Sequence, residues 1–327
     1  MSYEIWDCID AGSEFCPCHL AEQGECLLCS QLNGKNFCDC LCWKGVCIYQ
    51  EFIWNGNKAK RIRESYNAEI LKVEAIEKKI YIFTLALPQR LIKSLQHPGA
   101  YVFVKKDSND NFFDIPISVM DINIDDSTLK IAIEIKGIKT KKLTDLKEKD
   151  NLIIRGPYWN GIHGVRNIFK ARDGKCLLIA RGIGLAPMVP VLKKLYGNGN
   201  EIIAILDYSP YNTNYVKDYL ELCNVEAINM KIMEKGELTQ EFIDVMLKIS
   251  GDEKLNLVHC DGADKMSHDI LSLLSQDIPF SCCNNAKMCC GEGICGSCVV
   301  KTQDRKQRRL CKLQTEAKYI LEGRRLF

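Results

Sequence analysis

The chain has 327 residues, 46% of them apolar and 26% charged, and a net charge of +2. That length allows two or three domains with separate cores, and the composition is that of a water-facing globular protein. The near balance of charge removes any bulk electrostatic argument for nucleic acid or an acidic membrane surface as partner.

The N-terminus, MSYEIWDCID, lacks the basic and apolar regions of a secretion signal. No uncharged apolar run reaches membrane-spanning length, since CLLIARGIGLAPMVPVL is broken by Arg181 and by turn residues. A cytoplasmic location is therefore expected, where disulfides are rare. The 19 cysteines then read mainly as metal ligands or redox thiols. Cys176, Cys223 and Cys260 stand alone in apolar segments and read as small core residues.

Residues 1–55 hold nine cysteines and little periodic pattern. Cys8, Cys16, Cys18, Cys26, Cys29, Cys38, Cys40, Cys42 and Cys47 fall in C-x-C and C-x2-C spacings, which bring thiolates onto one metal body. They could supply one or two four-ligand sites, with His19 as an outside candidate. Few aliphatic residues accompany them, so a metal core is expected to hold the region together. Iron–sulfur is favoured over zinc there, and Cys16, Cys18, Cys26, Cys29, Cys38, Cys40, Cys42 and Cys47 are the candidate ligands. Four-cysteine zinc sites are the rival.

A polar, basic connector follows, NGNKAKRIRESYN. Residues 65–165 then carry short runs rich in Val, Ile and aromatics: EILKVEAI, KIYIFTLAL, AYVFVKK, DIPISVMDI, LKIAIEIKG and DNLIIRG. Asp125-Asp126 marks a hairpin. Strands at this spacing predict a small antiparallel barrel.

From residue 170 to 280 the pattern alternates. Strands CLLIA, EIIAILDY, EAINMKIM, NLVHCDG and IPFSCC are separated by helices through APMVPVLKKLYG, YVKDYLELCN, TQEFIDVMLKIS and DKMSHDILSLLS. That order predicts a parallel α/β sheet with its ligand at the carboxyl ends of the strands. In ARGIGLAPM, Gly182 and Gly184 allow a tight turn and close approach of a pyrophosphate. Pro187 suits the first helical position. Asp207, ending the second strand, is placed to accept from a ribose 2′-OH. No arginine stands beside it in DYSPYN, which tilts the expected nucleotide toward NADH over NADPH.

Residues 281–327 hold the second thiol cluster. Cys290, Cys295 and Cys298 are spaced C-x4-C-x2-C, with Cys311 further on. This is the plant-type spacing of a [2Fe–2S] cluster. Gly291, Gly293 and Gly296 let the backbone wrap a small inorganic body. Cys282, Cys283 and Cys289 read as packing residues. The basic run KTQDRKQRRLCK either docks an acidic redox partner or is a solvated loop.

In this order, barrel, nucleotide module and cluster loop resemble the ferredoxin–NADP reductase superfamily. The likeness is strongest to iron–sulfur electron-transfer subunits of the dihydroorotate dehydrogenase B kind and to sulfide dehydrogenase-type flavoproteins. PGAY resembles the family's PGQF strand opening, and GPYWNG its GPLGNG turn. Pro116-Ile117-Ser118 matches most of the Arg-Pro-Ile-Ser flavin motif, with Ser118 the expected hydrogen-bond partner of the flavin. KGIKTKKL resembles the segment that holds FAD phosphates, which carries over to Gly137 and Thr140. RGIGLAP resembles GGIGVAP, and DGADKM resembles the CGPxxM beside the nicotinamide, carried to Gly262 and Met266. MCCGEGICGSC resembles the cluster loop MACGIGACLGC.

Two departures stand out. Ile115 replaces the flavin motif's arginine, whose charge Lys136, Lys139 or Arg155 would have to supply. Arg181 replaces a glycine of the nucleotide loop. The resemblance implies an α+β multidomain chain: an FAD-binding barrel, an NAD(P)-binding α/β domain, a C-terminal [2Fe–2S] loop and an extra cysteine-rich metal module. It implies an oxidoreductase passing electrons between NAD(P)H, FAD and iron–sulfur clusters, to or from a redox partner protein or catalytic subunit. No side chain is then required as general acid or base. A degenerate reductase that only wires electrons or assists assembly, and a zinc-binding thiol sensor, are the alternatives.

Overall fold

The structure is a computed structural model, and it describes residues 6–40, 43–106, 114–252, 254–302 and 306–321. Cys42, an expected N-terminal ligand, lies outside the described residues.

Six strands close into an antiparallel barrel: β1 (Ser65–Ile76), β2 (Ile80–Ala86), β3 (Tyr101–Lys106), β4 (Ile115–Asn123), β5 (Thr128–Glu134) and β6 (Asn151–Tyr158). Their order is β1-β2-β5-β4-β3-β6, with β6 returning to β1. Period-2 alternation puts Phe83, Leu85, Val102, Val104, Leu129, Ile131 and Ile154 inside. The expected hairpin joins β4 to β5. There the Asn123 side-chain oxygen accepts from the backbone N–H of Asp125 at 2.9 Å and Asp126 at 3.1 Å, an Asx turn.

The second unit is a six-stranded sheet. Its strands are β7 (Ile162–His163), β8 (Lys175–Arg181), β9 (Glu201–Asp207), β10 (Ala227–Asn229), β11 (Leu255–Asp261) and β12 (Phe280–Cys283), ordered β10-β9-β8-β11-β12-β7. All pairings are parallel except β12 with β7. Central β8 is buried from Cys176 to Ala180 because it is covered on both faces. Helices α1 (Leu185–Gly197), α2 (Lys217–Leu222), α3 (Gln240–Asp252) and α4 (Asp264–Leu273) make the crossovers. Leu185, Met188, Val189 and Leu192 of α1 share one apolar cluster with Ile82, Met120 and Ala132 of the barrel. That shared core fixes the barrel against the nucleotide-type module. Cys176, Cys223 and Cys260 are buried, as expected of core residues.

Three local expectations are corrected. EAINMKIM is not one strand: it breaks after Asn229, and Met233–Glu234 turns back onto Glu237–Leu238. The break lets the Ile232 N–H reach the Asp207 carboxylate at 3.1 Å. Helix α2 starts at Lys217 rather than Tyr215, because the Asn214 side chain accepts from the Val216 N–H at 3.1 Å. Pro187 is the third residue of α1, not the first, after a 3-10 turn at Gly182–Gly184. A proline is still tolerated there, since first-turn N–H groups have no helical acceptor.

The N-terminal region has only short elements around a small core of Ala21, Leu32, Ile48 and Phe52. Its strand Asp7–Cys8 pairs antiparallel with Leu313–Gln314, so both cysteine-rich ends of the chain form one unit. Among the described residues no helix is long and apolar enough to cross a membrane.

Candidate functional site

Where β4 and β5 face the carboxyl ends of β8, β9 and β11, a cleft of about 460 Å³ opens. Pro116, Ile117 and Ser118 form one wall; Gly182, Gly184, Pro187 and Gly262 form the other. The flavin-type and nucleotide-type motifs thus meet across one space of ligand-pocket size. A larger hollow of about 640 Å³ lies between the connector and the barrel, lined by Lys58, Lys60, Arg61 and Arg90. None of the expected cofactor residues borders it, so the smaller cleft is the candidate site.

The nucleotide loop is shaped by its own strands. Gly182 has φ +60°, a conformation that favours glycine. A Cβ on Gly184 would lie 2.3 Å from the Asp261 carbonyl oxygen. Glycine there serves first to seat the loop on β11. Behind it, Ser281, His259 and Asp261 form a hydrogen-bonded row at 2.8 and 2.7 Å. All three are buried, so this row ties β11 to β12 and offers no accessible nucleophile.

Asp207 does not line the cleft. It is 3% exposed and accepts from Arg181 Nε at 2.9 Å, Ile232 N at 3.1 Å and Ser209 N at 2.9 Å. Burial alone would raise its pKa, but these hydrogen bonds more than offset that and hold it below the usual carboxylate range. An arginine therefore does stand beside Asp207, supplied by the adjacent strand, and Arg181 is the member of the pair that lines the cleft. Met266 is likewise buried beneath the cleft, with its Cε 2.2 Å from where a Gly262 Cβ would sit. It supports the floor rather than facing the opening.

Gly137, Lys139 and Thr140 lie outside the cleft lining, although the neighbouring Lys136 is in it. The Thr140 hydroxyl accepts from Lys136 N at 3.0 Å and Gly137 N at 3.1 Å, closing its own turn. Arg155 is engaged elsewhere: it binds Asp114 through Nε at 3.0 Å and Nη2 at 2.8 Å, and donates to the Cys290 carbonyl at 3.1 Å. Lys136, ion-paired to Glu134 at 2.6 Å, joins Arg181 as a cation in the cleft lining. Asn284 and Asn285 also line it and were missed. Their signal was available, because they follow strand β12 at its carboxyl end.

The C-terminal cysteine loop turns backbone N–H groups toward its thiols. Gly291, Gly293 and Gly296 all have positive φ. Cys290 Sγ accepts from Glu292 N at 3.3 Å and Cys295 N at 3.5 Å, and Cys298 Sγ accepts from Cys311 N at 3.4 Å. Backbone N–H groups aimed at sulfur stabilise thiolate and tune a cluster. Hydrogen bonding from Cys311 brings the Cys298 thiol down to about 7. Burial raises the Cys295 pKa, but hydrogen bonds led by Ser297 win and bring it to about 7. No three His, Cys, Asp or Glu side chains meet at ligating distance among the described residues.

One buried ion network ties this loop to the rest. Arg63 donates to Asp10 at 2.7 Å and Glu292 at 2.9 Å; Lys312 reaches the same two carboxylates at 2.5 and 3.4 Å. Tyr158 donates to Glu292 at 2.8 Å. None of the four charged residues is more than 5% exposed. Two cations face two anions, so the group is neutral overall. At Arg63 and Lys312 the polar connector and the basic run are core.

The N-terminal thiols are spread. Cys16, Cys18, Cys26, Cys29 and Cys47 are half-buried, Cys38 and Cys40 exposed. His19 pairs with Glu22 at 3.1 Å. Of the expected packing cysteines, Cys282 is buried, Cys283 borders the cleft, and Cys289 is exposed.

No family model matches the chain. Among curated proteins it is 27% identical over 216 residues to the dihydroorotate dehydrogenase B (NAD(+)) electron transfer subunit of Clostridium acetobutylicum, covering 66% of this chain and 81% of that protein. To the protein of the same description from Fusobacterium nucleatum it is 24% identical over 254 residues, covering 74% and 95%. Among solved structures it matches an NADH-dependent reduced ferredoxin-NADP oxidoreductase studied for flavin-based electron bifurcation, with TM-score 0.60, 20% identity and coverage of 77% and 89%. A ferredoxin NADP+ reductase from Neisseria gonorrhoeae with bound FAD and NADP gives TM-score 0.51 at 14% identity, covering 67% and 97%. The resemblance expected from the motifs thus holds in both comparisons, and the closed barrel with its α/β unit has the ferredoxin–NADP reductase fold.

Proposed function

We propose that this chain is the electron-transfer component of an NAD(P)H-linked iron–sulfur flavoprotein, working with a catalytic subunit or another redox partner protein. The observation that carries the reading is the single cleft in which Pro116-Ile117-Ser118 faces Gly182–Gly184. The description of the curated relatives as electron transfer subunits supports it, as does the FAD and NADP bound in a protein of this fold. The NAD(+) in the relatives' description favours NADH as the nucleotide.

FAD, when bound, supplies the exchange between the two-electron chemistry of nicotinamide and the one-electron chemistry of iron–sulfur clusters. The residues of this chain position it. The Ser118 hydroxyl gives the barrel wall a donor for the ring. Lys136, with Lys139 nearby, provides the positive charge that Ile115 does not. Gly182 and Gly184 keep the opposite wall low, and Arg181, braced by Asp207 and Ser209, holds a guanidinium at its edge. Asn285 donates to the Gly262 carbonyl at 2.7 Å and steadies the floor.

Cys290, Cys295, Cys298 and Cys311 are the proposed [2Fe–2S] ligands. From Asn285 in the cleft wall to Cys290 there are five residues, which span at most about 18 Å even when extended. A centre held by Cys290 is therefore tethered close to the cleft.

Anaerobically purified protein should show oxidised flavin bands that NADH bleaches, together with iron and sulfide. Flavin bands that NADH leaves untouched would overturn the reading. Gly291→Ala provides a sharper check on the cluster loop. Its Cβ would lie 2.4 Å from Tyr158 Cε1, at φ +72°. The variant is expected to lose about two iron atoms per chain while keeping its FAD, as measured by metal analysis and flavin extraction.

A further inference from the structure

Eight N-terminal cysteines are described, and they divide into two groups of four around separate hollows. Cys8, Cys16, Cys18 and Cys26 line the first, closed by apolar Ala11, Leu20, Ala21 and Leu27. Cys29, Cys38, Cys40 and Cys47 line the second, under Trp43 and Tyr49. Leu28 and Ile48 border both hollows and form the wall between them.

We propose that the N-terminal region carries two four-thiolate sites for a thiophilic metal centre, one held by Cys8, Cys16, Cys18 and Cys26 and the other by Cys29, Cys38, Cys40 and Cys47. Four soft sulfur donors around one point match a four-cysteine zinc site or an iron–sulfur cluster. Backbone N–H groups reach a thiol of each set: Cys29 N, from across the wall, to Cys26 Sγ at 3.4 Å, and Gln50 N to Cys47 Sγ at 3.5 Å. Cys38 and Cys40 already bring their sulfurs within 3.1 Å. No three described side chains meet at ligating distance, so binding must draw these loop-borne thiols together on each hollow. A region with so small a core gains its folding energy from such closure.

This assignment differs from the one that spacing suggests. By C-x2-C spacing alone, Cys26 and Cys29 would share a metal; the structure sends them to opposite sides of Leu28. Cys8 joins the first set from a strand that pairs with Leu313–Gln314. The first site then abuts the C-terminal cluster loop, with Leu20 Cγ 3.1 Å from the Cβ position of Gly293. The second shares the Leu28 and Ile48 wall with it. Filled with iron–sulfur clusters, the sites would form a line of one-electron carriers leading away from the cleft. Filled with zinc, they would be structural clips.

The test uses the full-length protein, purified without oxygen, and reads metal rather than turnover. Iron, zinc and sulfide per chain are measured for the wild type, for Cys26→Ser and Cys29→Ser singly, and for the Cys26→Ser/Cys29→Ser double variant. Each single variant should lose one centre, and the double variant should lose two. Iron with matching sulfide assigns clusters; zinc without sulfide assigns clips; both uphold the ligand sets. Loss of only one centre in the double variant, or a wild type with no metal beyond the C-terminal loop, would overturn the proposal. Alkylation of the wild type during stepwise chelation needs no substitution. The eight thiols should become reactive in these two groups of four, and a mixed order of exposure counts against it.

Discussion

Lys312→Met should cost about 3–5 kcal/mol of folding stability, the usual penalty for removing one partner of a buried ion pair. Lys312 is wholly buried and faces both Asp10 and Glu292. Its loss leaves two carboxylates against the single guanidinium of Arg63, in a site from which water is excluded. Burial alone would raise both carboxyl pKa values, yet attraction to Lys312 and Arg63 holds each below its ordinary range. Methionine keeps the volume and removes only the charge, so the cost is electrostatic rather than a cavity. Urea unfolding of the anaerobic protein measures it. Adding Asp10→Asn should recover part of the loss, because the remaining charges again balance and the two sites are directly coupled. The ion pair between Arg90 and Glu14, with side chains 84% and 58% exposed, is the control, and its removal should leave the midpoint unchanged. A Lys312→Met protein as stable as the parent would mean that the network is hydrated and that the two ends of the chain are held together by other contacts.

The barrel and the alternating sheet were legible because their signals are local. Period-2 runs such as KIYIFTLAL carry their own inside and outside, and the turn at Asp125-Asp126 carries its own capping side chain. The buried charges were not legible, because nothing near Arg63 or Lys312 in the chain distinguishes a paired core cation from a solvated one. Their partners come from the opposite ends of the sequence. Asp207 shows the same limit. Its own loop holds no arginine, whereas parallel pairing sets Arg181 directly opposite it. Strand register, which single-sequence reading does not provide, decided that contact. The thiols pose the same difficulty: C-x2-C spacing joins Cys26 and Cys29, whereas in the fold they line different hollows, both bordered by Leu28.

The nucleotide loop offers the most direct test of the cleft. Gly184→Ala would place a methyl 2.3 Å from the Asp261 carbonyl oxygen, and that oxygen belongs to the backbone of a buried central strand. No rotamer change can relieve such a contact, so the loop itself must lift away from β11. Pro187 and Ile183 would move with it, since both belong to the same turn and helix start and both line the cleft. A shift of about 1 Å in a positioning element lowers the rate about 10²-fold. NADH-dependent bleaching of bound flavin should slow by that factor, while FAD content and reduction by dithionite stay as in the parent. Gly197→Ala, at the far end of the same helix with nothing within 4 Å of its Cβ position, should bleach at the parental rate. If Gly184→Ala is reduced by NADH as fast as the parent, the nucleotide does not enter over this loop, and the wall formed by Gly182–Gly184 is only a packing joint between β8 and β11.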